Sequence, residues 1–286
     1  MTISNIGDVC DAELNGRVRR YSWRKTPSQT TSAGFWFDLA MSPGNPPPKY
    51  WFDAPPLIAK AVYQSTDGGL YHGADTAPSK QYLRLTTSLA SVATALPITL
   101  FLCDYLIYYP SCDDSVTDPQ ILDNSVTLPR YTDGEGVMAM AVSVAGRTGT
   151  QAFYLTYTNS DGVSGRTSRT VTQNASAAIG TIQTGSNASS TTASPFIGLE
   201  GGDRGIRSIE SVTMLGADIG LFTLILVKPL AQTTIKEITA VYEKDYLQYA
   251  AALPEIKDDA FLGFICQPQG KLASTLLMGD LKVIWD

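Results

Sequence analysis

Short runs rich in Val, Ile, Thr, Tyr and Phe recur from Gly16 to the end of the chain, and Gly, Pro, Asn or Asp closes each of them. Strand side chains alternate between two faces, so period-two runs with turn residues between them define strands, while the three-and-four spacing of a buried helix is almost absent. This pattern predicts an all-β fold, a β-sandwich of jelly-roll or immunoglobulin-like type with long loops and little helix.

Candidate strands run over Arg17 to Arg24, Gly34 to Ala40, Leu57 to Tyr63 and Gln81 to Thr87. Ile98 to Tyr109 is so continuously apolar that it reads as a strand buried on both faces. In Gly136 to Gly146, Met138, Met140, Val142 and Val144 fall on one face and Ala139, Ala141 and Ser143 on the other. Gln151 to Thr158 and Arg166 to Gln173 flank Asn159-Ser160-Asp161-Gly162, whose Asp-Gly tolerates the positive φ that tight turns demand, so a β-hairpin is expected there. Gly205 to Leu215, Ile219 to Val227, Ile235 to Tyr242, Phe261 to Cys266 and Leu276 to Trp285 complete the set, with one short helix over Asp245 to Ala251. Asn174 to Ser194, poor in large apolar residues, reads as a long loop or weak edge strands. The prolines of Ser42-Pro43-Gly44-Asn45-Pro46-Pro47-Pro48 exclude a central strand. Residues 1–95 are read as an aromatic, proline-rich β section or small domain, and 96–286 as the main sandwich.

An apolar content of 44% in 286 residues supports a sizeable core. A formal charge of −6 gives no general reason to bind nucleic acid, whose affinity rests on neutralised phosphates. The exception is local: Arg17, Arg19, Arg20, Arg24 and Lys25, interleaved with Tyr21 and Trp23, form either a solvated strand face or a docking site for an acidic partner. The apolar stretches Leu96 to Tyr109 and Ile219 to Val227 are too short to span a bilayer, and no membrane association or secretory leader is expected. Cys10, Cys103, Cys112 and Cys266 have no CxxC spacing, so reduced thiols are expected, with a Cys103–Cys112 bridge as the alternative. The sequons at Asn174 and Asn187 are read as chance matches.

Chemistry is thin. His72 is the one histidine of the chain, whereas most hydrolytic and metal-dependent sites rely on that side chain. It is read as a loop residue, in Tyr71-His72-Gly73-Ala74-Asp75, held by local hydrogen bonds. Asp113, Asp114, Asp118 and Asp123 are oxygen-rich but lack the alternating Asp and turn Gly of a calcium loop. Asp38, Asp53, Asp133 and Glu135 are the carboxylates from which a glycosidase pair would have to come, and Asp133-Gly134-Glu135-Gly136 reads more simply as a turn. Gly201-Gly202-Asp203-Arg204-Gly205 precedes a strand and not the helix N-terminus that makes a glycine loop cradle phosphate. Trp36, Tyr50, Trp51 and Phe52 beside the prolines form either a staple for that loop or a sugar-binding platform. No catalytic residue, cofactor site or metal site is assigned, and the chain is not expected to be an enzyme.

Five segments carry a resemblance: Phe37 to Pro46; Leu122-Asp123-Asn124-Ser125-Val126-Thr127-Leu128-Pro129-Arg130-Tyr131-Thr132-Asp133-Gly134-Glu135-Gly136-Val137; the hairpin Tyr157 to Arg166; and Gly205 to Ser211 with Gly216 to Leu221. Together they resemble virion structural proteins of tailed bacteriophages, over most of the chain from Gly34 onward. The resemblance implies a particle component made in the bacterial host cytoplasm. It would decorate or cement the capsid exterior, or alternatively belong to the tail, collar or baseplate; glycan binding by the loop of Trp36, Tyr50, Trp51 and Phe52 is a second alternative. Its partners would be the major capsid protein or other virion proteins. A rigid shell component on a symmetric lattice is expected to be a small homo-oligomer, a trimer or dimer.

Overall fold

The computed structural model describes residues 3–73, 80–175, 177–183, 194–249 and 252–286. Its long strands are β1 (Val18–Lys25), β2 (Gln81–Ala90), β3 (Ile98–Asp113), β4 (Met138–Ser143), β5 (Ala152–Asn159), β6 (Ile206–Met214), β7 (Leu221–Ile235), β8 (Phe261–Pro268) and β9 (Leu277–Trp285). The fold is all-β, with 45% strand and 8% helix, and is built from antiparallel sheets compatible with a sandwich or jelly roll. The central sheet runs Ile182–Gln183, β4, β7, β3, β8, Phe37–Asp38, with Lys60–Ala61 alongside β3. A second sheet runs Tyr242–Asp245, β2, β9, β1, Gly44–Asn45, with Glu255–Ile256 beside β2. The third runs Arg166–Thr167, β5, β6, Gln120–Ile121, with Val171–Thr172 beside β5. Strands from before residue 95 therefore share sheets with later ones: β1 and β2 both pair with the C-terminal β9.

The two longest strands organise the core. On β3, Ile98, Leu100 and Leu102 enter one hydrophobic core against the second sheet, while Leu106, Tyr109 and Cys112 enter another against the third. Ile98 to Leu106 keep their even-numbered side chains on one face, so both cores lie over the same side of the central sheet, end to end. Cys103, Tyr105 and Tyr108 point the other way into a third core with Trp36, Trp51 and Phe261. β3 is thus buried on both faces, as its apolar run implies. β4 behaves likewise, with Met140 and Val142 in the third core and Ala139 and Ala141 in the second.

β7 runs past its expected end at Val227 to Ile235, because a register shift between Pro229 and Ala231 lets a residue without an N–H sit in the ladder. The expected strand Ile235 to Tyr242 is correspondingly displaced to Tyr242–Asp245. Gly34 to Ala40 yields only Phe37–Asp38, since the Asp38 carboxylate accepts from Ala40 N and turns the chain into a 3-10 helix, Leu39–Met41. Leu57 to Tyr63 yields only Lys60–Ala61, because its amides bond in turn to Pro110, Asp123 and Leu106. The expected helix at Asp245 is one turn, Tyr246–Tyr249; Ala250 and Ala251 lie outside the described residues.

An N-terminal helix, α1 (Ile6–Leu14), was not expected. Its signal is a capping box: the Asn5 side chain accepts from Asp8 N while the Asp8 carboxylate accepts from Asn5 N. Val9 and Ala12 then pack with Tyr82 and Ile284 on the outer face of the second sheet.

The hairpin forms, with β5 as one arm and a return arm split into Arg166–Thr167 and Val171–Thr172. Asn159 Oδ1 accepts from Asp161 N at 3.0 Å and Val163 N at 2.9 Å, and Gly162 takes φ +80. A Cβ at Gly162 has space, its nearest neighbour lying 3.4 Å away, so the cost of adding one is conformational. Gly162→Val is expected to lower stability by about 1 kcal/mol or more, as a β-branched residue is strained at positive φ. An unchanged urea midpoint would overturn that assignment.

Candidate functional site

The candidate histidine and the four candidate glycosidase carboxylates each have structural partners. His72 is buried, its ring nitrogens 3.0 Å from Gln81 Oε1 and 3.1 Å from Ala260 O. Ala260 is 188 residues away, and it comes within reach because Leu70, two residues before His72, bridges to Leu262 and lays the segment along β8 of the central sheet. Ala74 and Asp75 of the expected loop lie outside the described residues.

Asp38 is fully buried and accepts from Ala40 N at 2.9 Å, Trp51 Nε1 at 2.5 Å and Tyr105 Oη at 2.7 Å. Burial pushes its carboxyl above the usual range despite these donors. Nearby Lys25, also buried, donates to Ser42 O at 3.0 Å and Pro46 O at 2.8 Å, and burial pushes its ammonium down to about 8. This pair fastens both ends of the proline-rich loop to the core. Asp53 takes a hydrogen bond from Tyr108 at 2.9 Å and pairs with Lys60 at 2.7 Å. Asp133 caps its own turn by accepting from Glu135 N, and Glu135 pairs with Arg204. Each of the four candidate carboxylates therefore has separate structural partners.

The acidic turn is dispersed in the same way. Asp113 accepts from Ser115 N and Asp123 from Ser125 N, whereas Asp114 is buried against Arg147 and Gln173. Among the described residues no cluster of three or more His, Cys, Asp or Glu is placed to hold a metal ion. The glycine loop ends at β6, and its Asp203 accepts from Tyr157, Asn159 and Arg166. Burial raises that carboxyl, but the donors outweigh it and hold it at about 2. Cys103 and Cys112 are free thiols in different cores, the former beside Trp51 and the latter beside Phe222, and Cys266 is buried and free as well. Asn174 is buried; Asn187 lies outside the described residues.

The aromatic loop divides. Trp36 and Trp51 are buried, Trp51 stacked on Tyr105 with ring centroids 5.3 Å apart, while Tyr50 and Phe52 remain half-exposed and stack on each other at 5.8 Å. The staple reading holds for the tryptophans, and the four rings do not form one platform.

The open feature is a groove of about 650 Å³ on the outer face of the second sheet. Helix α1 covers the Tyr82–Ile284 end of that face and leaves the other end bare. Arg20, Ser22 and Arg24 of β1 form one wall, Met278 and Asp280 of β9 the middle, and Leu89, Val241 and Glu243 the far side. The basic cluster of the sequence is thereby split by strand alternation: Arg20 and Arg24 face out, Arg19 lies over the Trp285 ring at 5.6 Å, and Lys25 points in.

No known protein family matches the chain, and no curated protein does. The chain is similar to a structure of the infectious bursal disease virus Gx strain, with 10% identity over 94% of this chain and 80% of that one and a TM-score of 0.17. It is similar to a VP2 subviral particle of the same virus, with 10% identity over 94% and 79% and a TM-score of 0.17. Similarity of this size is too low to carry an argument about fold or role.

Proposed function

We propose that the protein is a non-enzymatic structural component of a tailed-phage virion, docked on the capsid exterior as a small homo-oligomer with the major capsid protein as its neighbour. The observation that carries this reading is that His72 and the carboxylates Asp38, Asp53, Asp133 and Glu135 are spent on holding sheets and loops together, while an open groove is left on the surface. Such a design suits a rigid module that binds through its faces. The segments that resemble virion proteins supply the lattice onto which it would dock.

Purified particles should contain on the order of hundreds of copies, in proportion to the major capsid protein; about three to twelve copies would place it at the tail, collar or portal vertex instead. Particles lacking it should assemble but break at lower temperature, because each bound copy adds contacts made only in the assembled shell. Equal thermal stability combined with failure to adsorb or to join heads to tails would overturn the decoration reading.

A further inference from the structure

β1 is an edge strand with an unfinished edge. Gly44–Asn45 pair only with Arg24 and Lys25, and among the described residues the edge from Val18 to Trp23 meets one further partner, the Asn45 side chain on Ser22 O at 3.1 Å. Open edges are templates for another strand, and proteins commonly guard them with charge. Here the charge on β1 itself is of one sign, and Asp280 of the neighbouring β9 is the one carboxylate in register between the two arginines. Arg20 and Arg24 are exposed and make no ion pair among the described residues, in a chain whose net charge is −6. They stand on the same face about 13 Å apart, four residues at strand rise. Ser22 stands between them with its hydroxyl turned to Asp280.

The groove adds direction. Its cations line the β1 side, whereas Glu243 lies on the opposite side, beyond β9 and β2. Met278 and Asp280 of β9 lie between, the Asp280 carboxylate accepting the Ser22 hydroxyl, and Leu89 and Val241 stand with Glu243 on the far side. An incoming acidic segment is attracted to the β1 edge and repelled from the far one. We infer that the β1 edge accepts an extended acidic segment of a partner protein by strand addition. Its main chain would continue the ladder along the free stretch of β1 that precedes Arg24; one carboxylate would stand opposite Arg20, and another, two residues on, would reach Arg24 diagonally, because Asn45 already stands opposite Arg24. This inference deepens the proposed structural role by naming the chemistry of the docked partner, but it concerns the isolated protein and stands or falls without particles.

The test uses the full chain and a short capped peptide alternating glutamate with valine and threonine, followed by calorimetry. Binding is expected at about 0.05 M salt and should weaken at least about tenfold at 0.5 M, since exposed charge pairs are screened. The glutamine version of the peptide, and the doubly substituted protein R20E/R24E, should each bind about tenfold more weakly or not at all. Both arginines are exposed, so the variant should keep its melting temperature. A peptide N-methylated on alternate amides should lose binding, because strand addition needs its N–H groups. Absence of binding overturns the inference. So does equal binding of the N-methylated peptide, which means charge without strand pairing, and so does preference for a polyuronate over the peptide, which makes the groove a glycan site.

Discussion

Replacing Arg130 with methionine is expected to lower folding stability by about 3–5 kcal/mol, read as a fall in the urea midpoint. Asp104 is fully buried on β3, between Leu102 of one core and Leu106 of the next. Arg130 reaches it with two bonds, Nε to Oδ2 at 2.9 Å and Nη2 to Oδ1 at 2.7 Å, and Nη2 also donates to Val62 O and Tyr105 O. Removing the guanidinium strands a carboxylate where two apolar cores meet and orphans two carbonyls. Adding Asp104→Asn should recover part of the loss, because an amide is far cheaper to bury than a charge. The pair also sets a pH dependence. Burial pushes the Asp104 carboxyl up to about 6 against the pull of Arg130, so the folded state binds the proton more tightly than an ordinary carboxyl at 3.8. The contribution of this group is therefore fully present below about pH 4 and lost as pH rises through about 6, a slope that Asp104→Asn should abolish. Asp203 acts in the opposite sense, its contribution being lost only as pH falls toward about 2. A loss below about 1 kcal/mol in Arg130→Met would show that the junction is wetter than the geometry implies.

Trp51→Ala is expected to cost about 3–5 kcal/mol, the range for deleting a large aromatic side chain from a core. Trp51 is fully buried, stacks on Tyr105 with planes 9° apart, and meets Tyr108 and Phe261 at 5.4 and 5.9 Å. Its Nε1 also supplies one of the donors that hold the buried Asp38 carboxylate. Trp51→Phe separates the two effects: it keeps most of the volume and should cost about 1–3 kcal/mol for the donor lost to a buried acceptor. Because this ring anchors the proline-rich loop, limited proteolysis between Ser42 and Phe52 should accelerate in Trp51→Ala. Resistance equal to that of the parent protein would mean that the Lys25 cage on Ser42 and Pro46 holds the loop alone.

How much of this was legible before the structure depended on the range of the interaction involved. The all-β fold, the two-faced burial of β3, the alternation of β4 and the Asn159–Gly162 turn follow from side-chain periodicity and local turn chemistry, and all are present. The capping box at Asn5 and Asp8 was equally local, and a search for it would have found α1. Strand lengths were less legible. β7 passes through Pro229 only because β3 offers a bulged partner, and Gly34 to Ala40 stops at Asp38 only because that carboxylate turns back onto Ala40 N.

The ion pairs and the groove were not legible at all. Asp104 and Arg130 are 26 residues apart, and His72 meets Ala260 across 188. The sequence shows Arg20 and Arg24 as part of one basic cluster, yet strand alternation, the packing of α1 over half a sheet face and the short reach of Gly44–Asn45 decide that these two stand at an open edge while Lys25 is sealed inside. Periodicity is a property of neighbouring residues and is written into the chain. Which charges meet, and which edge stays open, depends on contacts that exist only after the sheets have packed.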